Sequence, residues 1–312
     1  MKSLVCVLAL GLCACGKARA RDSARPGPPT QPSASGVTPA SAPLGTLRES
    51  TFHFEHGPFG PTEVIALVPD DAPPSGRFPV LVAFHGRGES LKGPLLGARG
   101  WVDDYELGTT IRRLARPPLV EDDLLGLVTR ERLTALNAGL SAHPYRGLIV
   151  LCPYLPDILR GSRAFEEGKR LSAFVVEELL PRAYRELPAI GTPASTGVDG
   201  VSLGGRAALL VGLLRPEAFG AVGALQPALD DEEAGRFADL AGLARKKNPG
   251  LRLRLLTSDG DYFLGPTRAL DHALSSRGVA HQLDVVTGPH SYEFNRGPGG
   301  YEMLAFHDSV LR

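Results

Sequence analysis

A serine at the corner between a predicted buried strand and a predicted helix constrains this chain most. The corner reads Gly200-Val201-Ser202-Leu203-Gly204-Gly205. The apolar run Thr196 to Val201 predicts the strand, and the periodic run Leu203 to Leu214 predicts the helix. So tight a turn has no room for side chains two positions before and after the serine, which accounts for Gly200 and Gly204. The pattern is that of a nucleophile elbow with Ser202 as candidate nucleophile. A plain strand-to-helix turn is the alternative in a chain with 37 glycines.

A serine nucleophile needs a base, and in elbow-containing folds the acid and then the histidine follow the serine along the chain. Four histidines come after Ser202. Three of them fall inside predicted helices or strands. Only His290 lies in a loop just past a strand, after Gly288-Pro289. Such a loop brings an imidazole to the carboxyl edge of a parallel sheet, where these folds build their sites. The sequence therefore predicts His290 as the base.

The acid is expected at the end of the preceding strand, Leu251 to Ser258, which runs into Asp259-Gly260-Asp261. Asp259 is expected as the first residue after the strand and could cap the turn. Asp261 lies further into the loop, and Gly260 frees the backbone to aim it. We therefore prefer Asp261 to Asp259 as the residue that orients His290 and stabilises its imidazolium.

A second glycine-rich corner follows the predicted strand Phe78 to Phe84 and reads His85-Gly86-Arg87-Gly88. An oxyanion needs two preorganised N–H donors, one from the residue after the nucleophile and one from an earlier loop. The predicted donors are the backbone amides of Leu203 and Arg87. Gly86 and Gly88 keep the loop open toward the serine, and His85 packs beneath it in a structural role.

The four motifs, in this order, resemble the α/β-hydrolase superfamily and its putative-esterase branch, which includes esterase D and enterochelin esterase. They are His85-Gly86-Arg87-Gly88, Gly200-Val201-Ser202-Leu203-Gly204-Gly205, Asp261-Tyr262-Phe263 and Gly288-Pro289-His290. The resemblance runs from Thr51 to Leu311 and outside the motifs rests on element order. It implies a Ser-His-Asp hydrolase of carboxylic esters, and it favours Asp261 as the acid because aromatic residues follow it. The chain departs at Gln226-Pro227-Ala228, where relatives commonly carry Ser and aromatic residues of the substrate pocket.

The order of elements predicts an α/β fold. Three further strands are predicted, over Thr51 to His56, Glu63 to Val68 and Gly147 to Leu151. A helix is predicted over Ala164 to Leu187. Strands and helices then alternate to the end of the sequence. Such alternation implies a mainly parallel sheet with helices on both faces, and we expect its first strands to be antiparallel.

An insertion over residues 89–146 is far longer than one crossover helix. It contains predicted helices over Trp101 to Arg116 and Val120 to Leu140. A connection of this length in a compact domain usually serves function, so we expect a helical cap over the serine. Trp101 and Tyr105 either line the acyl or alcohol pocket or anchor the cap to the sheet.

The first residues read as a bacterial lipoprotein signal. A short positive start precedes an apolar run, Leu4 to Leu12, that is too short to span a bilayer. The small residue before Cys15 predicts cleavage after residue 14 and lipidation of Cys15. We expect a lipid-anchored protein of the cell envelope, facing the periplasm or on the outer membrane. Cleavage at Ala18-Arg19-Ala20, which would release a secreted protein, is the alternative.

Residues 15–47 then read as a Pro-, Ser- and Ala-rich tether without a core of its own, followed by a hydrolase domain over residues 48–312. After cleavage at Cys15, the domain keeps only Cys152, which we expect as a buried small hydrophobe rather than part of a disulfide.

Composition excludes several function classes. The 34 basic residues balance 34 acidic residues, so the sequence carries no electrostatic signature of nucleic-acid binding. No dinucleotide or phosphate-loop motif occurs, and His53 and His56 fall on opposite faces of a strand, so we expect neither a cofactor nor a metal. The expected partners are a small-molecule ester and, through the lipid, a membrane. Alternatives are a serine peptidase or acyltransferase with the same triad, and an inactive surface-binding lipoprotein.

Overall fold

A single sheet of eight strands organises the computed structural model, which describes residues 46–70, 76–158 and 163–311. The predicted signal peptide, Cys15 and nearly all of the tether lie outside these ranges. Along the sheet the strand order is β1-β2-β4-β3-β5-β6-β7-β8. The strands are β1 (Leu47–Gly57), β2 (Gly60–Pro69), β3 (Val80–Phe84), β4 (Ile149–Pro153), β5 (Thr196–Gly200), β6 (Ala221–Leu225), β7 (Arg252–Gly260) and β8 (Gln282–Pro289).

The sheet is antiparallel at one edge and parallel elsewhere. Strand β2 pairs antiparallel with both β1 and β4, and every other neighbouring pair is parallel. Every residue of the inner strands β3, β4, β5 and β6 is buried. Continuous burial is expected where helices cover both faces of a parallel sheet. The predicted α/β class, with antiparallel first strands, is confirmed.

Helices connect the strands. Those of at least seven residues are α3 (Leu107–Leu114), α4 (Arg130–Ala142), α5 (Ala164–Phe174), α6 (Leu180–Glu186), α7 (Leu203–Leu214), α8 (Ala234–Lys247), α9 (Leu264–Ser276) and α11 (Gly300–Val310). Short helices are α1 (Arg87–Ser90), α2 (Gly93–Gly97) and α10 (Tyr292–Phe294). The predicted bounds of α7 are those found. The predicted helix Ala164 to Leu187 comprises α5 and α6 with a π-helical turn, Val175–Leu179, between them.

Consecutive residues of β5 show that helices lie on both faces of the sheet. Val198 faces α7, because a methyl group on Gly212 of that helix would lie 3.0 Å from the Val198 side chain. Asp199 points the other way, and its Oδ2 lies 2.9 Å from Nε2 of His307 in α11. Successive side chains of a strand alternate between faces, so α7 and α11 sandwich the strand that leads to Ser202. Both members of the Asp199–His307 pair are buried.

The insertion differs in detail from the predicted pair of long helices. Gly100–Asp104 forms a π-helical turn before α3, and a 3-10 turn at Glu121–Leu124 precedes α4. Glu106 and Leu125 adopt left-handed backbone angles, with φ of 52° and 54°, and each ends a turn that the apolar periodicity alone would continue. The predicted helices Trp101 to Arg116 and Val120 to Leu140 are therefore corrected to these shorter pieces.

Helix α4 of the insertion lies beside β8 and α11, and Arg132 Nη2 is 3.7 Å from Oδ2 of Asp284 in β8. Arg132 of α4 donates two hydrogen bonds, of 2.5 and 2.6 Å, to the Glu302 carboxylate of α11. Trp101 is fully buried and Tyr105 nearly so. These two aromatic residues therefore have the surroundings of anchors, the second of the two roles considered for them. A covering of Ser202 by this segment stays a prediction.

Candidate active site

Ser202 occupies the strained corner that the sequence indicates. Its φ of 58° and ψ of −117° lie in a region that residues other than glycine rarely adopt. The turn is packed on backbone, because a Cβ on Gly204 would lie 2.2 Å from the Phe84 carbonyl oxygen. A Cβ on Gly200 would lie 2.5 Å from the Gly204 carbonyl. The two glycines therefore let α7 approach β3 and β5 closely enough to hold the serine at the carboxyl edge.

His290 and Asp261 meet at that same edge. Nδ1 of His290 lies 2.8 Å from Oδ1 of Asp261, whose side chain is fully buried. The carboxylate also accepts the Thr257 hydroxyl at 2.7 Å and the Phe263 amide at 2.9 Å. Three donors therefore satisfy and orient a buried acid. With the imidazole proton assigned to Nδ1 by this bond, Nε2 is left as the basic nitrogen.

Asp259 has a different task. It lies within β7, not just after it as predicted, because the strand continues to Gly260. Its Oδ1 accepts the Gly288 amide at 3.0 Å. Asp259 therefore fixes the turn that leads into His290 and does not contact the imidazole.

The two predicted oxyanion donors are both first residues of helices. Leu203 begins α7 and Arg87 begins α1, so neither amide has a carbonyl partner inside its own helix. The neighbouring Gly86 amide is occupied, since it donates to the Tyr105 hydroxyl at 3.2 Å. A methyl group on Gly86 would lie 3.8 Å from Ser202 Cβ, which places this loop directly beside the serine.

Comparison with known proteins shows what the chain resembles. Residues 160–296 match the family model described as putative esterase. The chain has the fold of α/β-hydrolases. A solved ferulic acid esterase has 16% sequence identity and a TM-score of 0.64, with 85% of this chain and 100% of that chain covered.

Two further solved structures have the same fold. S-formylglutathione hydrolase from Staphylococcus aureus has 10% identity and a TM-score of 0.59, covering 84% of this chain and 97% of its own. Enterobactin esterase from Shigella flexneri has 18% identity and a TM-score of 0.54, covering 87% of this chain and 61% of its own. Among curated proteins no significant sequence match was found. The predicted resemblance to the putative-esterase branch of the α/β-hydrolases is thus confirmed, by the family match over residues 160–296 and by the shared fold.

His85 lies at the base of the predicted oxyanion loop, Gly86-Arg87-Gly88. It is almost completely buried, its Nδ1 lies 2.8 Å from the Gly86 carbonyl, and its Nε2 accepts the Leu155 amide at 3.0 Å. Because Nε2 accepts a hydrogen bond, the ring proton lies on Nδ1, and Nδ1 donates a hydrogen bond to the Gly86 carbonyl. Burial lowers the pKa of the imidazole, which favours this neutral form. His85 therefore joins the loop to the segment after β4.

Gln226 is a residue of the site that the sequence analysis noted only as a departure from the family. Its amide nitrogen donates to the Ser258 hydroxyl at 2.7 Å and to the Pro289 carbonyl at 3.1 Å. It follows β6 with a φ of 40° and is completely buried. Gln226 thus joins the end of β7 to the residue before His290. The departure from the family at Gln226-Pro227-Ala228 is the sequence signal that marks this position.

Two features are absent from the residues that the structure describes. No group of three or more His, Cys, Asp or Glu residues in residues 46–70, 76–158 and 163–311 is arranged to hold a metal ion. Over that same part of the chain, no helix combines the length and the apolar character that a bilayer crossing requires.

Proposed function

We propose that this protein is a carboxylic ester hydrolase that acts through a triad of Ser202, His290 and Asp261 and a covalent acyl-enzyme. The single observation that carries the proposal is the hydrogen bond of 2.8 Å between His290 and Asp261, at the sheet edge that also bears Ser202. An oriented imidazole with a free Nε2 is the base that a serine hydroxyl needs.

In the proposed acylation, Ser202 Oγ attacks the ester carbonyl while His290 Nε2 takes its proton. The carbonyl electrons move to oxygen, and the amides of Leu203 and Arg87 stabilise the resulting oxyanion. The C–O bond to the alcohol then breaks, and the alkoxide leaves with the proton from His290. Asp261 stabilises the transient imidazolium without taking its proton.

In the proposed deacylation, water repeats these steps in place of the serine. His290 takes a proton from the water, the oxyanion forms again at the same two amides, and Ser202 leaves with the proton. The solved neighbours are named for ferulic acid, S-formylglutathione and enterobactin. We propose small-molecule esters as the substrate class of this chain.

The test is Ser202→Ala with short activated esters and a fluorophosphonate probe. Loss of a triad residue costs several powers of ten in turnover, so we expect no labelling and less than about a thousandth of the wild-type rate. A variant that keeps more than about a tenth of the activity would remove Ser202 as nucleophile. A wild-type protein that neither hydrolyses esters nor takes up the probe would contradict the esterase proposal itself.

We propose further that Cys15 is lipidated and anchors the enzyme in the bacterial cell envelope. The small residue before Cys15, Ala14, and the proline-rich stretch up to Leu47 support this proposal. Mass spectrometry of the mature N-terminus tests it. A lipid-modified Cys15 is expected, with Cys15→Ser releasing an enzyme of unchanged esterase activity. An unmodified start at Arg21 would mean secretion in soluble form.

A further inference from the structure

A buried carboxylate lies directly behind the oxyanion loop. Glu89 is the third residue of α1 and is 1% exposed. Its Oε1 accepts the hydroxyl of Tyr292 at 2.6 Å, and its Oε2 accepts the hydroxyl of Tyr105. Lys92 Nζ lies 3.9 Å from Oε1. A buried carboxylate is costly unless paired, and the two tyrosines that pair with it come from two other segments of the chain.

The hydrogen bonds around Glu89 have a fixed direction. The Gly86 amide donates to the Tyr105 oxygen, so the Tyr105 proton must go to another acceptor, and Glu89 provides it. Burial, and then the charge of Glu89, raise the pKa of Tyr105, so this phenol keeps its proton. The result is a chain of hydrogen bonds from the Gly86 amide through the Tyr105 hydroxyl to the Glu89 carboxylate. In such a chain each hydrogen bond polarises and strengthens the next.

Tyr292 extends this chain of hydrogen bonds to the loop that contains His290. It lies two residues after His290 and is 203 residues from Glu89 in sequence. Its hydroxyl packs on the oxyanion loop so closely that a Cβ on Gly88 would lie 2.5 Å from it. A methyl group on Gly86 would lie 3.4 Å from Glu89 Oε2 and 3.8 Å from Ser202 Cβ. Glu89 and Ser202 therefore both lie beside Gly86.

We infer that Glu89 and Tyr292 are positioning residues that hold the Arg87 amide and the His290 imidazole in fixed relation to each other. The inference rests on the proposed function, in which both groups act on the same carbonyl carbon. A displacement of about 1 Å in such a site can cost about a hundredfold in rate. A negative charge behind the oxyanion would by itself oppose catalysis, and the two phenol donors offset part of it, whereas Lys92 is bound mainly to Asp104, at 2.7 Å.

Tyr292→Phe tests this inference because it removes one oxygen and keeps the ring that packs against Tyr105. We expect kcat for a short nitrophenyl ester to fall at least about tenfold, with KM within about twofold, because positioning acts on the transition state. Glu89→Gln should show the same split. The double variant should lose no more than about twofold beyond the worse single variant, because both changes break one link. If the losses of the two single variants multiply in the double variant, or if the single variants leave kcat unchanged, the inference is wrong.

Hydrogen exchange provides a readout that does not depend on activity. Glu89→Gln should raise amide exchange at least about threefold in the segment from Gly288 to Phe294, although that segment is remote in sequence. Tyr184→Phe is the matched control. Its hydroxyl makes a bond of 2.7 Å to Thr196, at the end of β5 opposite Ser202, so exchange at Gly288 to Phe294 and kcat should stay unchanged.

The two outcomes separate the inference from the proposed function. An active wild type whose variants keep kcat and exchange unchanged overturns the inference alone. If the wild type neither hydrolyses esters nor labels, the proposed function falls, and the exchange of residues 288–294 in Glu89→Gln alone decides whether the two loops are coupled.

Discussion

At the scale of single residues, two aspartates near the end of β7 position His290 in different ways. Asp261 bonds the imidazole and is satisfied by three donors, whereas Asp259 accepts one backbone amide from the turn before the histidine. A backbone amide can be accepted by a neutral amide oxygen as well as by a carboxylate oxygen. Orientation of an imidazole in one tautomer requires an acceptor that cannot turn and donate.

We therefore expect Asp261→Asn to lower kcat by about 10⁴-fold, because the asparagine can donate to the wrong imidazole tautomer. Asp259→Asn keeps an oxygen for Gly288 and should cost no more than about tenfold. Steady-state kinetics on one activated ester, with circular dichroism as the folding control, give the ranking. The reverse ranking would assign the acid to Asp259.

At the scale of secondary-structure elements, the site depends on how closely α7 approaches β3. Gly204 lies against the carbonyl oxygens of Phe84 and His85, and both are backbone atoms that cannot turn aside. By contrast, Gly139 lies in the exposed interior of α4, and a Cβ there would meet no atom within 4 Å. The two helical glycines thus differ in their surroundings.

Gly204→Ala should destabilise the fold by at least about 3 kcal/mol, since the helix must move away from the strand. Gly139→Ala is the matched control and should stabilise by about 0.5–1 kcal/mol, because alanine is the better helix former. Urea unfolding of the two variants beside the wild type checks both signs. Equal effects would mean that α7 can shift without strain.

Most of the strands and helices could be predicted from the sequence, but the turns that divide the helices of the insertion could not. The glycines around Ser202 and the apolar runs of β3 and β5 mark the elbow, because close approach and burial leave a pattern of residue types. Glu106 and Leu125 adopt left-handed angles without the glycine or asparagine that usually signals them. The role of Glu89 could not be predicted either. Its partner Tyr292 is remote in sequence, and a single acidic residue forms no periodic pattern.

At the scale of the whole molecule, α11 closes the face of the sheet opposite α7. Asp308 of this helix accepts the amides of Arg146 and Gly147, each at 3.1 Å, just before β4. Burial raises the pKa of Asp308 from 3.8 to about 6. A carboxyl group whose pKa is higher in the folded state binds more protons there than in the unfolded chain over the interval between the two values.

Asp308 should therefore contribute a loss of stability as pH rises from about 4 to about 6, of at most about 3 kcal/mol. Asp308→Asn does not titrate and should remove this dependence. We expect the unfolding free energy of the wild type, minus that of the variant, to fall between pH 4 and pH 6. Urea unfolding at intervals over that range measures the difference, and a flat or rising difference would contradict the assigned pKa.

The buried pair of Asp199 and His307 bears on the order in which the chain folds. Its members are 108 residues apart, and the loop between them must close before the contact can form. Until α11 docks, the carboxylate of β5 lacks its imidazole partner and must stay in contact with water. We therefore expect the central strand to be sealed only after α11 has docked. Ser202, which follows that strand, should accordingly reach its strained corner late in folding.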